Sequence, residues 1–129
     1  MIYTTYFAKL KTLPEGVTPV AICAKPPVGY KGACYRMLAP KYDFYSKWKI
    51  DHDDEYFSMC YNDQILRQLN PTRVVADLYT NAGKNYCEGD IALVCYEKST
   101  DFCHRHLVAE WLRNSGYSCE ELNFKDKEN

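Results

Sequence analysis

Four side chains that can take part in catalysis lie close together in the last third of the sequence. Glu97 is followed, after a short polar stretch, by Cys103, His104 and Arg105. A cysteine beside an imidazole and a guanidinium has a lowered pKa and can act as a nucleophile, with Glu97 or His104 as its general base. We therefore predict Glu97, Cys103 and His104 as catalytic residues. Arg105 is predicted to bind the ligand.

The same residues begin an amphipathic helix. At about 100° per residue, His104 falls on the face that carries Leu107 and Val108, which predicts that His104 faces a sheet. Cys103 and Arg105 flank this face one turn from the helix start, where free backbone N–H groups favour an anion. The predicted ligand is therefore a phosphate-bearing small molecule or a nucleotide.

The cysteines and histidines lack the spacing of a structural zinc site. The chain has 7 cysteines, an odd number with no CxxC pair, and no secretory signal accompanies them. His106 lies about 200° round the helix from His104, so Cys103 and the two histidines cannot all face one point. The acidic run around His52 is typical of a solvated helix start. We predict reduced thiols, no bound metal and no cofactor.

Short apolar runs predict the strands of a sheet. Residues 2–7 and 18–24 are rich in β-branched and aromatic side chains, and Pro26 and Pro27 end the second run. Residues 90–96 form an unbroken apolar run, which is typical of a central strand covered on both faces. Residues 120–124 are predicted as a last strand. The proline- and glycine-rich segment 26–40 is predicted to be a long loop.

Helical spacing of apolar residues predicts the remaining elements. Residues 41–70 contain two helical stripes, separated by the acidic run 51–55. A third helix begins at Pro71, with Asn70 as its N-cap. A fourth helix follows Asp101 as N-cap and ends at Gly116. These elements predict a single α/β domain over residues 1–129, with three layers, a short mostly parallel sheet flanked by helices, and a disordered tail at 125–129.

Composition excludes several classes of protein. The 16 basic and 17 acidic residues nearly balance, so the chain has no global positive field for holding nucleic acid. The longest apolar run is far shorter than a membrane span, and the first residues do not resemble a signal peptide. We expect a soluble cytoplasmic protein without a membrane partner.

The loop 26–40 and its flank offer a second group of ligand-binding candidates. Lys25 and Tyr30, together with Lys31, Tyr35 and Arg36, combine cations with aromatic rings. Such a set can clamp a nucleotide or a single nucleic-acid strand. We predict Lys25 and Tyr30 as ligand-binding residues.

The segments that carry the candidate site resemble domain-of-unknown-function family 488 (DUF488). The resemblance lies in the strand IALVCYE at 91–97, the triplet at 103–105 and the helical sequence LVAEWL at 107–112. In the region of the second strand, Cys23, Ala24 and Lys25 stand where members of that family often carry acidic and arginine residues. The resemblance implies a small, intracellular, three-layer α/β protein of bacteria, archaea or their viruses, and no particular activity.

Three functions remain open on these residues. The first is an enzyme or ligand-binding domain that acts on a phosphate-bearing small molecule or nucleotide through the site around Cys103. The second is a non-enzymatic interaction protein, regulatory or host-directed, that uses the tyrosine-rich surface and the loop 26–40. The third is a nucleic-acid-binding protein that uses the cations and tyrosines of that loop.

Overall fold

The structure, a computed structural model, describes residues 1–122. Its strands are β1 (Ile2–Tyr6), β2 (Val17–Ala21), β3 (Ala33–Cys34), β4 (Asp90–Cys95) and β5 (Cys119–Glu121). Its α-helices are α1 (Tyr42–Asp51), α2 (Asp54–Gln64), α3 (Pro71–Asn81) and α4 (His104–Asn114). Short 3-10 helices cover Phe7–Thr12, Arg36–Leu38 and Leu66–Gln68. None of the helices in this part of the chain has the length and apolar character that a membrane crossing requires.

The strands form one sheet in the order β3-β2-β4-β1-β5. Every pairing among the described strands is parallel, with Ile91 of β4 opposite both Ile2 of β1 and Thr18 of β2. The predicted α/β fold is confirmed, and β4 is the central strand, as its apolar run predicts. Because the strands are parallel, the carboxyl ends of β2 and β4 meet at one edge of the sheet.

Alternate residues of β4 face opposite sides of the sheet. Ile91, Leu93 and Cys95 lie on one face and belong to the hydrophobic core that also contains apolar residues of α1, α2, α3 and α4. Ala92 and Val94 lie on the other face and are equally buried. On the face of β4 that packs against the helices, the last residue is therefore Cys95, and its side chain points toward α4.

Local signals place two of the helices as predicted. The side chain of Asn70 accepts a hydrogen bond from the Arg73 backbone N–H at 3.1 Å, and Pro71 opens α3. The side chain of Asp53 accepts from the Tyr56 backbone N–H at 3.0 Å and caps α2. The acidic run 51–55 is thus a helix boundary.

Four predicted elements need correction. The strand predicted at 18–24 is β2, which begins one residue earlier and ends at Ala21. The segment 26–40 is not simply a loop, because β3 and a 3-10 helix lie within it. Asp101 does not cap α4: the N-cap is Cys103, which makes no side-chain capping bond. The predicted strand 120–124 is β5, which begins one residue earlier and ends at Glu121. Residues 123 and 124, and the predicted disordered tail 125–129, lie outside the described residues.

Candidate functional site

An open cavity of about 370 Å³ lies at the carboxyl edge of the sheet. The segments that follow β2 and β4 form one side of it, and α1 and the first residue of α4 form the rest. Its lining residues are Cys23, Ala24, Lys25, Pro40, Tyr42, Tyr45, Cys95, Tyr96, Glu97 and His104. Tyr42 is 80% exposed and Tyr96 is about half exposed, whereas Cys95 and His104 are buried. The tyrosines therefore form the rim of the cavity, and the thiol and imidazole form its floor.

His104 is held in one orientation by the sheet. Its side chain is 7% exposed, which agrees with the inward direction that helical phase predicts. Its Nε2 atom lies 2.9 Å from the carbonyl oxygen of Ile22, which can only accept a hydrogen bond. Nε2 therefore carries a hydrogen and donates it, and in a neutral ring the lone pair lies on Nδ1. The Tyr61 ring packs against the imidazole with 5.5 Å between the ring centroids.

Two thiols lie beside this imidazole. The Sγ atom of Cys95 is 3.8 Å from Nδ1 and 3.5 Å from Nε2 of His104, and the Sγ atom of Cys103 is 4.0 Å from Nδ1. A hydrogen bond from Cys95, followed by the influence of His104 and Arg105, outweighs burial and lowers the pKa of Cys103 to about 3. Burial instead holds the pKa of Cys95 well above its ordinary value. The hydrogen bond between the two thiols thus favours the ionised form of Cys103 and the neutral form of Cys95.

Cys103 does not line the cavity. Its side chain is 2% exposed, and Cys95 and His104 lie on the cavity side of the cluster. A ligand that enters from the rim therefore meets Cys95 and His104 before it can reach the thiolate. Cys103 remains a predicted catalytic residue, and a ligand in the cavity can reach its sulfur only past Cys95 and His104.

The Glu97 side chain lies next to this cluster and lines the cavity. Burial raises its pKa, and the nearby Cys103 thiolate raises it further. The structure therefore brings the three predicted catalytic residues, Glu97, Cys103 and His104, into one group.

Arg105 is placed differently from the prediction. Its guanidinium is 0% exposed and does not line the cavity; Nε and Nη2 donate to the two carboxylate oxygens of Glu121 at 3.1 and 2.8 Å. Nη1 donates to the backbone oxygen of Glu97 at 2.7 Å. The predicted anion site at Arg105 is thus filled by a carboxylate of the chain itself. Arg105 fixes the position of the Glu97 backbone, and its buried guanidinium is not accessible to an external phosphate.

The second group of predicted ligand-binding residues is divided. Lys25 lines the cavity, and its backbone oxygen accepts a hydrogen bond from the Tyr96 hydroxyl at 2.5 Å. Tyr30 is not among the lining residues: its ring packs edge-on against Phe7, and its hydroxyl donates to the Ala33 carbonyl at 2.7 Å. Tyr35 is buried and donates to Asp77. Tyr35 is therefore not available for stacking on nucleic-acid bases, and Tyr30 does not share the cavity with Lys25, which weighs against the nucleic-acid hypothesis.

Several residues of the site were missed by the sequence reasoning. Cys95 lies on the same face of β4 as Ile91 and Leu93. The alternation of residues along a strand could have predicted this placement from the sequence. Cys23 comes just after the end of β2. Because β2 is the neighbour of β4 in the sheet, Cys23 reaches the same cavity as Cys95. Glu121 had no local signal, because its partner Arg105 lies 16 positions away. His106 is 4.0 Å from Glu121 and is not part of the thiol and imidazole cluster.

Fold and site together define an α/β protein with an all-parallel sheet and a thiol–imidazole pocket at its carboxyl edge. The chain matches the family model DUF488-N3a, described as the active DUF488-N3 subclade, over residues 4–116. The protein belongs to this family, and the match extends well beyond the strand and triplet that carry the resemblance in the sequence. No curated protein and no solved structure gave a significant match.

Proposed function

We propose that the protein is an enzyme that binds a nucleotide, or a closely related phosphate-bearing small molecule, in the cavity at the carboxyl ends of β2 and β4. The observation that carries the proposal is the combination of an aromatic rim with a floor of thiol, imidazole and carboxylate groups. A cavity of about 370 Å³ falls within the range of small-molecule sites. Ligands of open α/β sheets bind at this edge.

The rim supports recognition of a planar ring. Tyr45 is stacked on Trp48, with 6.5 Å between the ring centroids and an interplanar angle of 25°, so its orientation is fixed before a ligand arrives. Tyr96 is fixed by its hydrogen bond to the Lys25 backbone. Pre-oriented rings lose little conformational entropy when a base stacks on them. Tyr42 is more exposed and adds a further aromatic surface.

Polar groups of the cavity complement the rest of a nucleotide. The Glu97 carboxyl can accept hydrogen bonds from a base N–H or a ribose hydroxyl. Lys25 is the cation among the lining residues and is placed to meet a phosphate. The phosphate is thus assigned to Lys25, in place of the buried Arg105.

The floor supports a chemical role in addition to binding. His104 and Cys95 face the bound molecule, and Glu97 lies beside them as a group that can transfer a proton. Arg105 is a positioning residue, because it holds the backbone of the lining residue Glu97 and does not itself line the cavity. A thiol, an imidazole and a carboxyl group that meet at the floor of the cavity favour an enzyme over a protein that only carries its ligand.

Isothermal titration calorimetry tests the binding step. Nucleoside 5′-monophosphates, the matching nucleosides and inorganic phosphate form the three ligand series. We expect the nucleotides to bind, and Tyr45→Ala to weaken them about 5- to 150-fold, because base stacking contributes about 1 to 3 kcal/mol. Lys25→Ala should weaken nucleotides by a few fold and leave nucleosides unchanged, since an exposed ion pair contributes about 0.2 to 1 kcal/mol.

Lys31→Ala is the matched control, because Lys31 lies in the same segment and is not a lining residue. It should bind nucleotides like the wild type. The proposal is refuted if no member of the three series binds to folded wild-type protein. Equal weakening by Lys25→Ala and Lys31→Ala would refute the assignment of the phosphate to Lys25.

A further inference from the structure

The cluster at the cavity floor contains three groups that ligate soft metal ions. The donor atoms of Cys95, Cys103 and His104 all lie within 4.8 Å of one another. All three side chains are buried. His106 lies on the other side of α4 and is not part of the cluster, and the third donor, Cys95, comes from β4.

The separations fit a tetrahedral zinc ion. With Zn–S bonds of about 2.3 Å and Zn–N bonds of about 2.0 to 2.1 Å, sulfur and nitrogen ligands of one zinc lie about 3.6 Å apart. In the structure Nδ1 of His104 is 3.8 Å from the Cys95 sulfur and 4.0 Å from the Cys103 sulfur. Contraction by a few tenths of an ångström therefore brings these atoms to bonding distances. Since the Cys95 sulfur is also 3.5 Å from Nε2, binding requires the ring to tilt about its hydrogen bond to Ile22.

The surroundings of His104 already match those of a metal ligand. A ligating histidine usually donates its second ring N–H to a backbone carbonyl or a carboxylate, which fixes the tautomer and aims the other nitrogen at the metal. Nε2 of His104 donates to the Ile22 carbonyl at 2.9 Å in this manner. The free nitrogen, Nδ1, is the one that lies near both sulfurs.

From this geometry we infer that Cys95, Cys103 and His104 form a zinc site whose fourth coordination position faces the cavity. Cys95 and His104 both line the cavity, so the side of the cluster that lacks a protein ligand is open to it. A zinc site with three protein ligands and one open position is typical of catalysis, because the open position accepts water or a substrate oxygen. The zinc would then lie where a molecule bound between the tyrosines meets the floor.

Metal binding is tested on full-length protein that has been reduced and stripped of metal. Addition of Zn²⁺ alone should leave one zinc per chain after gel filtration, measured by mass spectrometry of the metal. Addition of Co²⁺ alone should give the intense visible bands of tetrahedral cobalt and the sulfur-to-cobalt charge-transfer band of two thiolates. Cys95→Ala and Cys103→Ala should each weaken Zn²⁺ binding at least tenfold, and each should halve the charge-transfer band.

Cys60→Ala is the matched control, because Cys60 is also a buried cysteine and lies outside the cluster. It should bind one zinc like the wild type. Near-ultraviolet circular dichroism checks that each variant is folded, and the cobalt spectrum of wild type is decisive even if a variant unfolds. The inference is overturned if Co²⁺ in wild type is octahedral and gives no charge-transfer band. It is also overturned if Cys60→Ala loses as much zinc as Cys95→Ala and Cys103→Ala. The metal is measured without nucleotide, so this failure is distinct from failure of the nucleotide proposal.

Discussion

Replacing Glu121 by glutamine should destabilise the protein strongly. Glu121 receives two hydrogen bonds from the Arg105 guanidinium, one from Thr4 at 2.6 Å and one from Ser99 at 2.5 Å. Glutamine has the same shape but no charge, and its amide nitrogen cannot accept from a guanidinium. The variant Glu121→Gln therefore leaves a buried cation without its counter-charge.

The size of the effect follows from burial. Arg105 is 0% exposed and the Glu121 side chain is 21% exposed, so water can replace little of the lost interaction. Breaking a fully buried pair by removing one partner costs about 3 to 5 kcal/mol. Allowing for the partial exposure of Glu121, we expect the free energy of unfolding to fall by about 2 to 4 kcal/mol. For a chain of 129 residues this corresponds to a melting temperature roughly 10 °C lower.

Urea unfolding as a function of pH measures this contribution. Burial by itself would raise the pKa of Glu121, but the hydrogen bonds from Arg105, Ser99 and Thr4 outweigh it and hold the pKa below its ordinary value. A carboxyl whose pKa is depressed in the folded state stabilises the protein above its unfolded pKa, which is about 4.3, and loses this effect as pH falls through the folded pKa. The gap between wild type and Glu121→Gln should therefore be constant from pH 6 to 8 and should close below about pH 4.

Glu120→Gln is the control, because Glu120 is the exposed neighbour on the same strand. It should change the free energy of unfolding by less than about 0.5 kcal/mol. If Glu121→Gln is no less stable than Glu120→Gln at pH 7, the ion pair does not hold β5 to α4 and Arg105 is not a positioning residue.

Two further predictions concern the helix caps and the thiols. Asn70→Ala should lower the free energy of unfolding in urea by about 1 kcal/mol, because the Arg73 N–H loses its acceptor, whereas Asn70→Asp should retain most of it. Alkylation of native protein followed by peptide mass spectrometry should label Cys87 first, because it is the exposed cysteine, and Cys34 more slowly. Rapid labelling of the buried cysteines, at the rate of Cys87, would contradict the packing described above.

Predictions that rest on periodicity agree best with the structure. The unbroken apolar run of β4 marks a strand covered on both faces, and its central place in the sheet follows. The inward direction of His104 follows from the phase of α4, because the helix buries one stripe. Asn70 and Pro71 mark the start of α3 through a capping bond between near neighbours, which needs no tertiary information.

Features that depend on distant parts of the chain were not predictable in the same way. β3 has two residues and exists because Val20 and Ala21 pair with it, so its own composition resembles a turn. Arg105 looks like a surface cation at a helix start until β5 brings Glu121 against it. In the candidate site, Glu97, Cys103 and His104 were identified because they are close in sequence. The tyrosines of α1 and the cysteines Cys23 and Cys95 were not predicted as site residues, because only the folded sheet brings them to the cavity.

Formation of this sheet requires distant segments to meet. The central strand β4 lies between β1 and β2, and the N-terminal ammonium of Met1 donates to the carbonyl of Gly89, which immediately precedes β4 and is 88 positions away. Forming such contacts costs the entropy of closing a long loop before packing of the sheet contributes any stabilisation, and this slows folding. The floor of the cavity forms only when β4 pairs with β1 and β2 in the sheet. A partly folded chain therefore exposes five thiols that the native protein buries, and oxidation of these thiols would compete with folding.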